Sequence, residues 1–142
     1  MKRDYNMTEA SPVNENERLV HEFYTLWEKS DVSLLLPYFS PDSSYIDMPL
    51  PPRHGIDAIN DYISGVFAAF TCEIETKVIA SRGDLVLTER IDHLRMHETG
   101  AYCPLPIMGI VRIRDGRILE WRDYLDIVTA ETALGIGMRP SD

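Results

Sequence analysis

Leu85-Val86-Leu87-Thr88-Glu89-Arg90-Ile91-Asp92-His93-Leu94 is the stretch on which the reading of this chain turns. It is rich in leucine and β-branched residues and follows a Gly83-Asp84 turn signal, so it reads as a strand. Successive side chains of a strand point to opposite faces. Val86, Thr88, Arg90, Asp92 and Leu94 therefore share one face, and Leu85, Leu87, Glu89, Ile91 and His93 share the other. With the first face turned inward, a guanidinium and a carboxylate two residues apart enter a mostly apolar interior. Charges in such a place must be paired, and they often mark a site. A structural ion pair explains the same spacing, so the weight falls on what else in the chain meets it.

The flanking sequence sets the fold class. Asn14 and Glu17 have the spacing of a capping box, and Leu19, Phe23, Leu26 and Trp27 recur at helical intervals behind them. A short second helix over 32–36 is interrupted by Pro37. Phe39-Ser40-Pro41-Asp42 reads as turn chemistry. Residues 43–48 read as a strand in which Tyr45 and Asp47 share a face, stopped by the extended loop Pro49-Leu50-Pro51-Pro52. Gly55-Ile56-Asp57 opens a third helix with Ile59, Ile63, Val66, Phe67 and Phe70 on its apolar face. Strands are expected over 73–80, 85–94, 101–114 and 117–125, the last two joined at Asp115-Gly116, and a short helix over 129–134. Helices first and antiparallel strands afterwards is an α+β pattern, with helices packed on one face of a curved sheet. The concave side of such a sheet is where a small-molecule pocket forms.

Composition narrows the function classes. The 142 residues suit a single domain over 13–138 between tails at 1–12 and 139–142. A net charge of −9 opposes nucleic acid or an anionic membrane as a partner. No apolar run approaches the roughly 20 residues that span a bilayer, and the N-terminus shows no signal-peptide core, so a cytoplasmic protein is expected. Cys72 and Cys103 form no CxxC pair and read as reduced thiols, and His21, His54, His93 and His97 lack ligand spacing. No metal or cofactor site is expected. Asn6-Met7-Thr8 matches a glycosylation acceptor, without significance in the absence of export.

The final strand carries Leu119, Trp121, Asp123 and Leu125 on one face, which places a further carboxylate among apolar neighbours. Tyr45 and Asp47 add a phenol and a third carboxylate. Two carboxylates in different surroundings are driven to different pKa values, so that one donates a proton while the other accepts one. An arginine between them orients both. Trp27, Val66, Phe67, Phe70, Leu94, Leu105, Ile107 and Leu125 read as core residues, and all of them but Phe67 as lining the pocket too.

Tyr45-Ile46-Asp47-Met48-Pro49-Leu50-Pro51-Pro52, Thr88-Glu89-Arg90-Ile91-Asp92 and Trp121-Arg122-Asp123-Tyr124-Leu125-Asp126 together resemble the signatures of limonene-1,2-epoxide hydrolases, in the family order. The resemblance runs from about the first helix to Asp126. It implies a nuclear transport factor 2-like (cystatin-like) cone, a curved mixed sheet with helices over its mouth, usually as a homodimer. It also implies one-step opening of an epoxide by water, without cofactor or covalent intermediate. In that reading Asp92 is the general acid, Asp123 the general base, and Arg90 bridges the two, while Tyr45 and residue 47 hold the water. The chain departs from the family at Asp47, where the pattern has asparagine. A protonated Asp47 imitates the amide; an ionised one competes with Asp123 as base or weakens hydrolysis. The rival readings are an epoxide-opening cyclase, isomerase or polyketide-tailoring enzyme on the same fold, and a carrier using the same cavity without catalysis.

Overall fold

The computed structural model describes residues 10–140. Residues 1–9 of the tail expected over 1–12, the Asn6 motif and the last two residues lie outside the described residues. Helix α1 (Glu15–Leu26) begins with the capping box. The Glu17 N–H donates to Asn14 Oδ1 at 2.9 Å, and the Asn14 amide returns a hydrogen bond to the Glu17 carboxylate at 2.9 Å. That carboxylate is buried because it also accepts from Val13 N–H and from the Ser81 hydroxyl, which ties the helix start to the sheet. Val20, Phe23, Tyr24 and Trp27 then fall on one buried face at helical spacing. Helix α2 (Val32–Leu35), capped by Asp31, runs into a single 3-10 turn at Leu36–Tyr38, where Pro37 ends the α-helical pattern.

The strands are β1 (Phe39–Met48), β2 (Arg53–His54), β3 (Phe70–Arg82), β4 (Leu85–Met96), β5 (Tyr102–Arg114) and β6 (Arg117–Leu125). Helix α3 (Ile56–Ala69) connects β2 to β3, and α4 (Ile127–Leu134) follows β6. The sheet order is β2-β1-β6-β5-β4-β3. β1 runs parallel to β6 and all other neighbours are antiparallel, so the sheet is mixed. It is a curved α+β sheet with the helices gathered on its inner side. Register irregularities interrupt β1 after Phe39, β3 at Lys77 and β6 at Leu119. Each inserts residues into one strand of a pair, which bends that strand and deepens its twist.

Several sequence expectations change at those irregularities. Phe39 to Asp42 is the bulged start of β1 rather than a turn, and Ser43 Oγ secures it by accepting from Ser40 N–H and donating to the Ile118 carbonyl at 2.6 Å. Leu119 does not continue the Trp121 face. It is the extra residue of the β6 bulge, and Ile118 takes the fully buried position. Phe70 is the first residue of β3 rather than part of the third helix. The last helix begins two residues earlier than expected, because Asp126 accepts from Val128 and Thr129 N–H and caps it. No helix of the described residues is long and apolar enough to cross a membrane.

The core lies between α1 and the inner sheet face. Phe23 meets Trp121 edge-on at 5.1 Å, Trp27 at 6.1 Å and Phe39 at 5.5 Å. Burying each such ring contributes about 1.5–3 kcal/mol. This aromatic block sets one wall of the cavity described next.

Candidate active site

Alternation along β4 turns Val86, Thr88, Arg90 and Asp92 inward, while Leu87 and Glu89 stay exposed. Cross-strand register then assembles the site in rows. One row is Tyr45, Trp121, Val111 and Val86; the next is Asp47, Asp123, Gly109 and Thr88. Arg90 lies one row further, opposite Ile107, and Asp92 opposite Leu105. Side chains from four strands thus meet although they are far apart in sequence.

Arg90 is the hub. Its Nη1 donates to Asp123 Oδ1 at 2.8 Å and its Nη2 to Asp123 Oδ2, a two-pronged pair. Its Nε donates to Asp92 Oδ1 at 2.9 Å, with a longer Nη2 contact to Oδ2 at 3.3 Å. The Tyr24 hydroxyl accepts from Nη1 at 3.2 Å, and the Tyr24 ring lies 4.6 Å from the guanidinium. Burial alone would lower the Arg90 pKa, but Asp123 and Asp92 outweigh it and hold the group charged. The Trp121 indole N–H adds a third donor to Asp123, at 2.7 Å. Burial pushes the Asp92 carboxyl above its ordinary value against the pull of Arg90.

Gly109 makes this crossing possible. A Cβ there would lie 2.5 Å from Arg90 Nη1 and 2.8 Å from Asp123 Oδ1, so the guanidinium passes over bare backbone to reach Asp123. Nothing in the β5 sequence marks that glycine, because the requirement comes from the two neighbouring strands.

Asp47 stands beside Asp123 on the adjacent strand and has its own partners. Tyr45 donates to Oδ1 at 2.8 Å and Tyr62, from α3, donates to Oδ2 at 2.6 Å. Arg53 Nη1 is 3.7 Å from Oδ2, and its guanidinium lies 3.4 Å from the centre of the Tyr62 ring. Burial and the neighbouring Asp123 charge push Asp47 up to about 6, while the two phenols and Arg53 oppose the rise. Burial and the Asp47 charge keep both phenols protonated, as donors must be. Sequence reasoning missed Tyr62, Arg53, Tyr24 and Gly109. Tyr62 is the one with a signal, as a polar-tipped aromatic at helical spacing within the apolar stripe of α3, three residues after Ile59 and four before Val66.

These groups floor a cavity of about 440 Å³. Tyr45, Asp47, Asp92 and Asp123 line it, whereas Arg90 lies behind them. Trp27, Val66, Phe70, Leu94, Leu105, Ile107 and Leu125 all line its walls, and Leu134, Ile136 and Met138 from the C-terminal segment close one side. Phe67 packs on Trp27 behind the wall, with ring centres 5.2 Å apart. His93 sits on the opposite sheet face, with Nδ1 2.6 Å from the Tyr102 hydroxyl and Nε2 3.7 Å from Glu75. Among the described residues no group of three or more His, Cys, Asp or Glu side chains could hold a metal ion.

A curved sheet encloses an apolar cavity with an arginine-bridged carboxyl pair at its base, an arrangement of the kind in which small-molecule sites are built. The chain belongs to the SnoaL-like domain family, which matches residues 20–121. Among solved structures it is similar to an LEH-like epoxide hydrolase from M. tuberculosis (24% identity, TM-score 0.75, 84% of this chain and 89% of that one). It is also similar to a putative isomerase from Bacillus subtilis (20%, TM-score 0.78, 91% and 100%). A third likeness is to a putative SnoaL-like polyketide cyclase from Jannaschia sp. CCS1 (16%, TM-score 0.76, 89% and 96%). At these identities the likenesses establish the fold and leave the reaction to the site.

Proposed function

We propose that this protein is a cytoplasmic epoxide hydrolase that adds water to a largely apolar epoxide and releases a vicinal diol, using only its own acid and base. The observation that carries the reading is one guanidinium clamping Asp92 and Asp123 at the base of an apolar cavity. The likeness to an LEH-like epoxide hydrolase supports it.

The chemistry follows from the unequal grip of Arg90. Asp123 is held at both oxygens, so it keeps the ion pair. Asp92 is held closely at Oδ1 and more loosely at Oδ2, and burial favours its neutral form, which suits it to deliver a proton from Oδ2. An epoxide oxygen placed there takes that proton as the C–O bond breaks, which avoids a free alkoxide. Water attacks the ring carbon from the β1 and β6 side, where the Asp47 and Asp123 carboxyl groups stand side by side and one of them takes up its proton. Holding the water and ring together supplies the proximity term, and each proton transfer contributes about 10²- to 10⁴-fold. A second copy of the chain would cover the outer sheet face, where Leu87, Met108 and Tyr124 are exposed; sedimentation reads that mass directly.

Turnover of a panel of terpene, cycloalkene, aryl and fatty epoxides in ¹⁸O-labelled water tests the reading. Label in a diol, lost about 10²-fold or more in Asp92→Asn, is the expected result. An unlabelled cyclic isomer would instead show the cyclase or isomerase chemistry. Ligand binding that survives Asp92→Ala and Asp123→Ala, with no turnover in the parent, would show a carrier.

A further inference from the structure

The two carboxylates on the water side are not equivalent. Asp123 accepts three N–H donors, two of them from a cation, and exposes 1% of its side chain. Donors of that kind occupy both of its oxygens and lock the carboxylate to Arg90 and Trp121. Asp47 exposes 7% of its side chain and has neutral phenol donors, with Arg53 beyond hydrogen-bond distance. The phenols converge from different elements on its two oxygens. A carboxylate accepts both protons, whereas an asparagine here would turn its NH2 towards one of them. Arg53 reaches this place because the two-residue strand β2 pairs it with Tyr45.

We infer that Asp47 is the group that takes the proton from the attacking water, with Tyr62 and Arg53 as its positioning residues, while Asp123 serves as the fixed counter-ion of Arg90. The inference rests on the hydrolytic reading above. As the water oxygen bonds to the ring carbon, one of its protons passes to an Asp47 oxygen. The ring C–O bond breaks, and its electron pair takes the Asp92 proton. The diol leaves, and the proton on Asp47 returns through solvent to Asp92, which restores both groups. A carboxyl pushed up to about 6 suits the task, being ionised at neutral pH yet more basic than an ordinary aspartate. The substitution that the sequence marks as a departure thereby becomes part of the site.

The test follows kcat/KM against pH, with styrene oxide as the probe, in the parent protein, Asp47→Asn and Tyr62→Phe. The parent should show an acid limb near pH 6. Removing the Tyr62 hydrogen bond should raise that limb, because the bond favours the anion, while the maximal rate changes less. Asp47→Asn should lose about 100-fold or more near neutral pH and shed the limb. A limb unmoved in Tyr62→Phe, or an Asp47→Asn enzyme within about threefold of the parent, would overturn the assignment. Carboxyl ¹³C NMR of the substrate-free protein separates this from failure of the hydrolytic reading. Asp47 titrating near 6, and higher in Tyr62→Phe, sustains the role of Tyr62 whatever the substrate; titration in the ordinary aspartate range refutes it.

Discussion

Gly109→Ala isolates the physical basis of the site, because local propensity and tertiary geometry predict opposite signs for it. Alanine in a strand interior is favoured over glycine by roughly 0.5–1 kcal/mol, so propensity alone predicts a more stable protein. The new methyl would, however, stand 2.5 Å from Arg90 Nη1, 2.8 Å from Asp123 Oδ1 and 3.2 Å from Thr88 Oγ1. The tip of an exposed arginine would swing aside at little cost. Here Tyr24, Asp92 and Asp123 hold the guanidinium, and moving it breaks at least the Nη1 bond to Asp123. Disrupting a buried ion pair costs about 3–5 kcal/mol, which leaves a net loss of roughly 2–4 kcal/mol. For a domain of this size that lowers Tm by roughly 10 °C. Urea unfolding followed by tryptophan fluorescence measures it. Gly65→Ala is the internal control, since nothing lies within 4 Å of that Cβ and the exposed α3 position should gain up to about 1 kcal/mol. A Gly109→Ala protein as stable and as active as the parent would refute the crossing of Arg90 over bare backbone.

Three further outcomes follow from the same coordinates. Asn14→Ala removes the cap of α1 and releases Glu17 from one of its partners, so thermal or urea unfolding should show a loss of about 1 kcal/mol. Asp47 has a folded pKa near 6 against an ordinary 3.8, so between those values the folded chain binds more protons than the unfolded one. Its contribution to stability therefore falls as pH rises from about 4 to 6, by an amount on the order of 3 kcal/mol that stays lost above that window. Asp47→Asn should remove this slope even as turnover falls, and paired unfolding curves at the two ends of the window read it. Trp121→Phe takes one donor from Asp123 while keeping most of the ring, and should cost about 1.5–3 kcal/mol by the same assay.

Local chain geometry decides which side chains can share a face. Strand alternation is a local property of the backbone, so Arg90 with Asp92, and Tyr45 with Asp47, were legible from spacing of two residues. Helix periodicity likewise placed Phe23 and Trp27 on one side of α1, and the order of elements gave the α+β class. Facing in from one strand says nothing about what stands opposite on the next. That depends on register, and register here passes through bulges that alternation does not reveal, so alternation alone puts Leu119 in the place that Ile118 holds. Only the assembled sheet sets Asp47 beside Asp123, lays Arg90 across Gly109 and brings Tyr62 from α3 onto the carboxylate of β1. The residues that carry charge were visible in the chain; the partners that fix where each proton sits come from contacts between segments far apart in sequence, which only close packing defines.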